Sequence, residues 1–309
     1  MQSDSRIYIA GHNGLVGSAI CRRLKSDGYE NLIVRDHSQL DLCNESDVND
    51  FFSETQPEYV FLAAAVVGGI HANDTRPVEF LRDNLLIQTN IIEAAYRNDV
   101  KKLAFLGSTC IYPRDCPQPI KEEYLLSGPL EETNQWYAIA KIAGIKLCQA
   151  YRKQYDFNAI SLMPTNLYGP GDNFDLQSSH VLPALIRKFH DGKINNSEQV
   201  DVWGSGKPFR EFLYIDDMAE ACCYLMQRYD EKSIVNIGTG NDLSIRELAE
   251  LIKEIIGYEG EIKFDASKPD GTPKKVTDVT KLNSLGWKSR TSLSAGIEKT
   301  YDWYLDHQP

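Results

Sequence analysis

Apolar and polar positions follow one another along this chain in two rhythms. Short continuous apolar runs, RIYIA at 6–10, NLIVR at 31–35, EYVFLAA at 58–64, KLAFL at 102–106 and NAISLM at 158–163, are separated by longer stretches of helical period. Those stretches run from about Val16, over ESDVNDFFSE at 45–54, from about Val78 to Asn98, and from about Ile139 to Tyr155. Strands and helices in alternation predict βαβ units and an α/β fold with a doubly wound parallel sheet. Runs without internal polar positions fit strands covered on both faces.

The rhythm loosens after MPTNLYGPGDN at 163–173, and the Gly/Pro-rich WGSGKPF at 203–209 reads as loops. A smaller C-terminal lobe is expected beyond that point. Within it, SIRELAELIKEIIG sets Ile245, Leu248, Ala249, Ile252, Ile255 and Ile256 on one face of a helix capped by Ser244, and Ser292 to Leu305 predicts a second helix. The expected division gives residues 1–165 plus about 211–240 to the first domain, and about 166–210 plus 241–309 to the smaller one. The chain shows no internal repeat and no low-complexity tract.

Candidate chemistry sits at the ends of the predicted strands. GHNGLVG follows the first strand and opens the first helix, with Gly11, Gly14 and Gly17 at three-residue spacing. Glycines so placed serve either a tight strand-to-helix turn or the cradle of a dinucleotide pyrophosphate, and the strand-before, helix-after context favours the cradle. YAIAK puts Tyr137 and Lys141 four residues apart on a helix, hence on one face. Either the pair is a solvated helix face, or the ammonium favours the ionised phenol and makes Tyr137 an acid/base group. Ser108, at the end of the fourth strand where α/β ligands gather, favours the second reading.

At 309 residues, 42% of them hydrophobic, the chain can bury a sizeable core. Its formal charge of −11 opposes a nucleic-acid or anionic-membrane surface and leaves room for one small phosphate ligand. No apolar run approaches the roughly 20 residues of a membrane span. MQSDSRIYIA lacks the layout of a signal peptide, so a cytoplasmic protein is expected. Seven cysteines, odd in number and without a CxxC pair, suggest neither disulfides nor a zinc site, and no metal is expected from the six histidines. Six of the cysteines read as ordinary buried thiols.

The glycine loop, Ser108 and YAIAK together resemble the extended short-chain dehydrogenase/reductase superfamily, whose members mostly act on nucleotide sugars. GHNGLVGSAI, AAAVVGGI, NDVKKLAFLGSTCIYP, YAIAKIAGIKLC, MPTNLYGPGDNF, SSHVLPALIRKFH, WGSGKPFREFLYIDDMA and FDASKPDGTPKK resemble, within it, the GDP-L-fucose synthase family, from the first strand to about residue 290. The resemblance implies a Rossmann-type dinucleotide-binding domain and a nucleotide-sugar lobe. It further implies conversion of GDP-4-keto-6-deoxy-D-mannose to GDP-L-fucose, by epimerisation at carbons 3 and 5 and then NADPH-dependent reduction at carbon 4.

Roles follow from the same resemblance. Cys110 would be the catalytic base and His180 its acid partner, Tyr137 the proton donor in reduction, Lys141 its tuner and a hold on the nicotinamide ribose, and Ser108 the group that orients the carbonyl. Cofactor contacts would come from Gly11, His12, Asn13, Gly14, Leu15, Val16 and Gly17, from Arg35 and His37, and from Asp41 and Leu42 beside the adenine. Leu106, Gly107, Ser108, Lys141 and His180 would add to them, with Pro164, Thr165, Asn166 and Leu167 on the nicotinamide side. Lys188, Trp203, Arg210 and Asp270 would hold the GDP portion, although Arg187 is an alternative to Lys188. Family members pair through the YxxxK helix, so a homodimer is expected.

The chain departs from its resemblance at the 2′-phosphate end, where Asn13 and VRDHS stand in place of basic side chains. A carboxylate after the second strand typically accepts the free ribose hydroxyl of NAD, so Asp36 leaves NADH open beside the expected NADPH. A simpler nucleotide-sugar 4-epimerase or 4-reductase would need Ser108, Tyr137 and Lys141 but not Cys110 and His180. A non-catalytic dinucleotide-sensing protein would need only the glycine loop.

Overall fold

The computed structural model describes residues 1–268 and 270–307. Strand β1 (Ile7–Ala10) leads into helix α1 (Leu15–Ser26), β2 (Leu32–Ile33) into α2 (Glu45–Thr55), and β3 (Tyr59–Leu62) into α3 (Ile70–Thr75) and α4 (Pro77–Arg97). β4 (Lys102–Leu106) is followed by α5 (Gln135–Tyr155) and β5 (Ala159–Pro164), then by β6 (Asn166–Tyr168), α6 (Val181–Ile194), β7 (Gln199–Trp203), β8 (Phe209–Tyr214), α7 (Ile215–Arg228) and β9 (Val235–Ile237). β10 (Asp242–Ser244), α8 (Ile245–Ile256), β11 (Glu261–Asp265), β12 (Lys274–Lys275), α9 (Thr280–Ser284) and α10 (Leu293–Asp306) complete the order.

Six strands form one parallel sheet in the order β2-β1-β3-β4-β5-β9. The order reverses between β1 and β3, and ligands of such sheets gather in the crevice beyond the strand ends at that point. Ile9, Ile20, Phe61, Leu106, Met218 and Leu225 pack on one face under α1 and α7, while Tyr8, Phe52, Ile91, Phe105 and Ile145 pack on the other under α2, α4 and α5. Each such side chain, wholly removed from water, contributes on the order of 1.5–3 kcal/mol. That double cover is why the strands read as unbroken apolar runs.

A smaller sheet has β8 at its centre, flanked by β10 and β12, with β6 pairing farther along β8. β7 and β11 form a separate parallel pair. Leu185, Phe189, Phe212, Leu248, Ile252, Ile297 and Tyr304 form its core. The α8 signal was sound: Ser244 and Glu247 make a reciprocal capping box, and Gly257 ends the helix in the left-handed conformation.

Three local features differ from expectation. β2 keeps only two residues of NLIVR, because an edge strand with β1 alone as partner releases Val34 and Arg35 into the following loop. α5 begins at Gln135, four residues before Ile139, so that Tyr137 falls in its first turn. The stretch before α4 forms α3, for which the sequence had shown no periodic signal. No described helix is long and apolar enough to cross a membrane.

Candidate active site

The loop after β1 turns at Gly11, whose φ of +85° L side chains rarely adopt, and a Cβ there would stand 2.7 Å from the Ala64 Cα. A Cβ on Gly17 would overlap the Gly11 carbonyl, so α1 can close on the loop only with glycine at that position. Gly14 differs, because the one atom within 4 Å of an added Cβ is the Gly11 oxygen, at 3.5 Å. α1 starts there with no side-chain cap and no acidic residue in its first turn. Its first N–H groups and the positive end of its dipole are therefore left for an anion, and the loop fits a pyrophosphate.

Nearby, His12 keeps a buried Nδ1 without a protein partner, and Asn13 is exposed. Arg35 donates to the Val34 carbonyl at 2.8 Å and lies 5.5 Å from the centre of the Phe51 ring. Asp36, which had raised the question of NADH, accepts from the Ser38 N–H at 2.9 Å, the Ser38 hydroxyl at 2.6 Å and the Gln39 N–H at 3.1 Å. It caps its own turn, and the Ser38 hydroxyl above all holds its carboxyl below the usual range. His37 beside it is exposed. Asp41 caps the next turn through the Cys43 N–H, and the Leu42 carbonyl accepts from Asn90. At the strand ends, Gly107 follows Leu106 of β4, Pro164 closes β5, and Asn166 donates to the Glu211 carbonyl at 2.7 Å. Thr165 bonds the Ile237 carbonyl through its N–H, and Leu167 is half-buried against the α1 side of the core.

Ser108, Cys110, Tyr137 and Lys141 come together beyond β4. Ser108 caps the single helical turn Thr109–Ile111 by accepting from the Cys110 N–H at 3.2 Å. Tyr137 is pushed well up by burial first and by the neighbouring Cys110 charge second, with a hydrogen bond to Ser108 opposing both. Lys141, 3% exposed, donates to the Leu106 carbonyl at 2.8 Å, and burial brings it down to about 8. The Lys141 ammonium lies 5.7 Å from the centre of the Tyr137 ring and gives its hydrogen bond to main chain, while burial favours the protonated phenol.

Cys110 has a neighbour that sequence reasoning missed. Lys275 of β12 donates to its Sγ at 3.3 Å, and β12 pairs Lys275 with Arg210 of β8. Burial pushes the Cys110 thiol up, but Lys275, Ser108 and Arg210 together outweigh it and hold the thiol below its ordinary range. His180 immediately precedes α6 and is open at its surface, yet desolvation first and the Lys275 charge second hold its imidazole down. Lys275 stood in a quoted segment, FDASKPDGTPKK, but no spacing rule connects it with a residue 165 positions away.

The remaining candidates cluster around β7 and β8. Trp203 is 52% exposed, with the Lys188 ammonium 5.3 Å and the Lys268 ammonium 5.2 Å from its ring centre. Lys188 also donates to the Asp201 carbonyl at 2.8 Å, whereas Arg187 turns to the Phe174 carbonyl and to Asp191. Of the two basic residues, it is Lys188 that meets Trp203. Asp270 accepts from the Ser205 N–H and hydroxyl, both at 2.7 Å, and its main-chain carbonyl accepts from Arg210 at 3.2 Å. Pro269, within the same resembling segment, lies outside the described residues. Among the described residues no three or more His, Cys, Asp or Glu side chains are grouped as for a metal ion.

The model of the NAD dependent epimerase/dehydratase family matches residues 7–238. GDP-L-fucose synthase 1 of Arabidopsis thaliana is 59% identical over 302 residues, covering 98% of this chain and 94% of that protein. The crystal structure of a GDP-6-OMe-4-keto-L-xylo-heptose reductase from Campylobacter jejuni is similar at a TM-score of 0.96 and 40% identity, covering 99% of both chains. A GDP-L-fucose synthetase from Naegleria fowleri, solved bound to NADP, is similar at a TM-score of 0.92 and 32% identity, covering 99% of this chain and 94% of that one.

Proposed function

This chain belongs to the NAD dependent epimerase/dehydratase family and, within it, to the GDP-L-fucose synthases, and from that premise we propose that it converts GDP-4-keto-6-deoxy-D-mannose to GDP-L-fucose. The observation that carries the reading is the Lys275 ammonium 3.3 Å from the Cys110 sulfur, one turn from Ser108. A plain 4-reductase has no use for a thiol held ready to ionise. A 3,5-epimerase needs a base of that kind, because the 4-keto group acidifies the protons on carbons 3 and 5 without removing them.

In this reading the Cys110 thiolate takes a proton from one centre and His180 returns one to its opposite face; the thiol then loses its proton to water and the imidazole regains one from water before the pair inverts the second centre. Lys275 favours the thiolate by its charge. Ser108 then orients the keto oxygen, and Tyr137, kept protonated by burial, gives that oxygen its proton. NADPH bound along the glycine loop supplies the hydride for carbon 4. Gly11, Gly14 and Gly17 would seat its pyrophosphate, Asp41 and Leu42 its adenine, and Lys141 with Pro164 to Leu167 its nicotinamide end. Arg35 and His12 would receive the 2′-phosphate, while the Asp36 carboxylate, whose three turn donors all meet one oxygen, leaves NADH open beside NADPH. The exposed Trp203 ring offers a platform for the guanine, with Lys188 and Arg210 for the diphosphate and Asp270 fixing Arg210 through its carbonyl.

On the same reading, residues 1–165 plus about 211–240 form the dinucleotide domain and about 166–210 plus 241–309 the sugar-nucleotide domain, with the boundary near 211 moved to about 215 because β8 centres the smaller sheet. A homodimer is supported by Leu86 of α4 and Ile139 and Tyr155 of α5, which are 39–48% exposed on the two helices that pack together. Light scattering should give twice the chain mass, and a monomer at working concentration would overturn the dimer. Seven free thiols, Cys222 and Cys223 among them, support a reducing, cytoplasmic setting.

NMR of the product formed in deuterated water from the keto-sugar and NADPH tests the reading as a whole. GDP-L-fucose carrying deuterium at carbons 3 and 5 is the expected result. A reduced sugar of unchanged configuration without deuterium would overturn it in favour of a 4-reductase.

A further inference from the structure

Glu211 follows Arg210 on β8, is 0% exposed, and has no part in the chemistry derived above. Its Oε1 accepts from the Thr239 N–H at 2.5 Å, the Thr239 hydroxyl at 3.3 Å and the Gly240 N–H at 2.7 Å. Its Oε2 accepts from the N–H and the hydroxyl of Thr277, both at 2.8 Å. None of these donors is charged. Removing a carboxylate from water is strongly unfavourable, and neutral donors offset only part of that, so a role in fixing geometry accounts for its place better than stability does.

The geometry it fixes is specific. One oxygen holds the turn after β9, where a Cβ on Gly238 would overlap both the carboxylate and the Thr277 hydroxyl. The other holds Thr277, two residues beyond Lys275. The main-chain carbonyl of the same residue accepts from Asn166. β12 meanwhile sets Lys275 opposite Arg210 on this stretch of β8. The two cations beside Cys110 thus ride on two of the segments that meet at one buried carboxylate.

We propose that Glu211 is a positioning residue that holds the Lys275 ammonium against the Cys110 sulfur and thereby sets the ionisation of that thiol. Its catalytic consequence rests on the reading of Cys110 as a base, whereas the positioning itself needs no substrate. Cys110 is faced by Ser108 from its own turn, Lys275 from β12, Arg210 from β8 and Tyr137 from α5, and Glu131 and Lys274 line the same small cavity. Of these, Arg210 on β8 and Lys274 and Lys275 on β12 depend on the segments that Glu211 joins.

The test is the rate of Cys110 alkylation by iodoacetamide as a function of pH, read by peptide mass spectrometry on the full chain. Glu211→Gln keeps the size of the side chain but turns an NH2 group towards N–H donors. Alkylation at pH 7 should slow by about tenfold while the half-buried Cys21 and Cys43 react as before. Lys275→Met should slow it alike, and the double variant should slow it no further. A folded Glu211→Gln protein, judged by circular dichroism, in which Cys110 titrates unchanged would overturn the proposal, as would full additivity with Lys275→Met. Should Glu211→Gln fail to fold, Thr277→Val removes the hydroxyl donor alone. It should shift the titration in the same direction by less, and no shift would overturn the proposal. A shifted thiol in a protein whose unaltered form exchanges no sugar deuterium would uphold the positioning while sinking the fucose synthase reading.

Discussion

The Lys141 ammonium stands 5.7 Å from the centre of the Tyr137 ring and gives its hydrogen bond to the Leu106 carbonyl, 2.8 Å away. In the proposed reduction Tyr137 gives its proton to the keto oxygen while Lys141 holds the nicotinamide end, and each role needs the proton in place. Burial brings Lys141 down to about 8, whereas Tyr137 stays protonated across the working range. Below about pH 8 the free protein therefore carries a charged Lys141, and above it the charge is lost. Reduction of the already epimerised keto-sugar, followed as kcat/KM from NADPH consumption, should be flat on the acid side and fall as pH rises through about 8. Lys141→Arg cannot lose its proton there and should abolish that limb, at the cost of a lower plateau. An identical alkaline limb in the variant would assign the titration to another group.

Tyr137→Phe separates the two halves of the reaction. It removes the proton donor to the carbon-4 oxygen and leaves Cys110 with Ser108 and Lys275 in place. The reduction rate should fall by about 10²–10⁴-fold, the usual contribution of a positioned acid. Deuterium uptake at carbons 3 and 5, measured by NMR, should stay within a few fold of the unaltered chain. Loss of uptake equal to the loss of reduction would mean that Tyr137 serves the epimerisation too.

Epimerisation should have a pH profile of its own. The proposed pair needs Cys110 as thiolate, whose share grows as pH rises, and His180 as imidazolium, whose share shrinks. Their product is a bell. Both groups lie below their ordinary ranges: Cys110 because Lys275, Ser108 and Arg210 outweigh burial, His180 because of burial and then Lys275. Removing the Lys275 charge raises both, so Lys275→Met should move the whole bell of deuterium exchange towards alkaline pH. A bell that keeps its position would show that Lys275 does not govern the pair.

How much of this could be read beforehand depended on the distance along the chain over which each feature is encoded. The alternating strands and helices, the α8 capping box and the glycine loop are local patterns of a few residues, and each appears where its pattern lay. The YAIAK spacing correctly set Tyr137 and Lys141 on one helical face, but it could not show that the Leu106 carbonyl would claim the ammonium. Asp36 shows its carboxylate in the sequence, but not that three donors of its own turn take one of its two oxygens. Lys275 and Glu211 were silent for a deeper reason. The first meets Cys110 across 165 residues and the second joins three segments, and neither lies in a motif with a spacing rule.

The glycines of the first loop make separable contributions. At Gly17 a methyl group would overlap the Gly11 carbonyl and crowd the His12 Cα, which are main chain and cannot swing aside. Gly17→Ala should therefore lower stability by roughly 1–3 kcal/mol, the usual penalty for forcing extra volume into a packed site, and weaken NADPH binding as α1 tips away from the loop. At Gly14 the added methyl would sit 3.5 Å from the Gly11 oxygen, an ordinary contact, on the side left open at the start of α1. Gly14→Ala should leave the thermal midpoint within a few degrees of the unaltered chain, yet weaken NADPH binding by tenfold or more, because the methyl occupies the approach of the pyrophosphate. Thermal unfolding with and without NADPH measures both quantities. Equal destabilisation of the ligand-free proteins would remove the distinction drawn here between a glycine needed for packing and one needed for the phosphate.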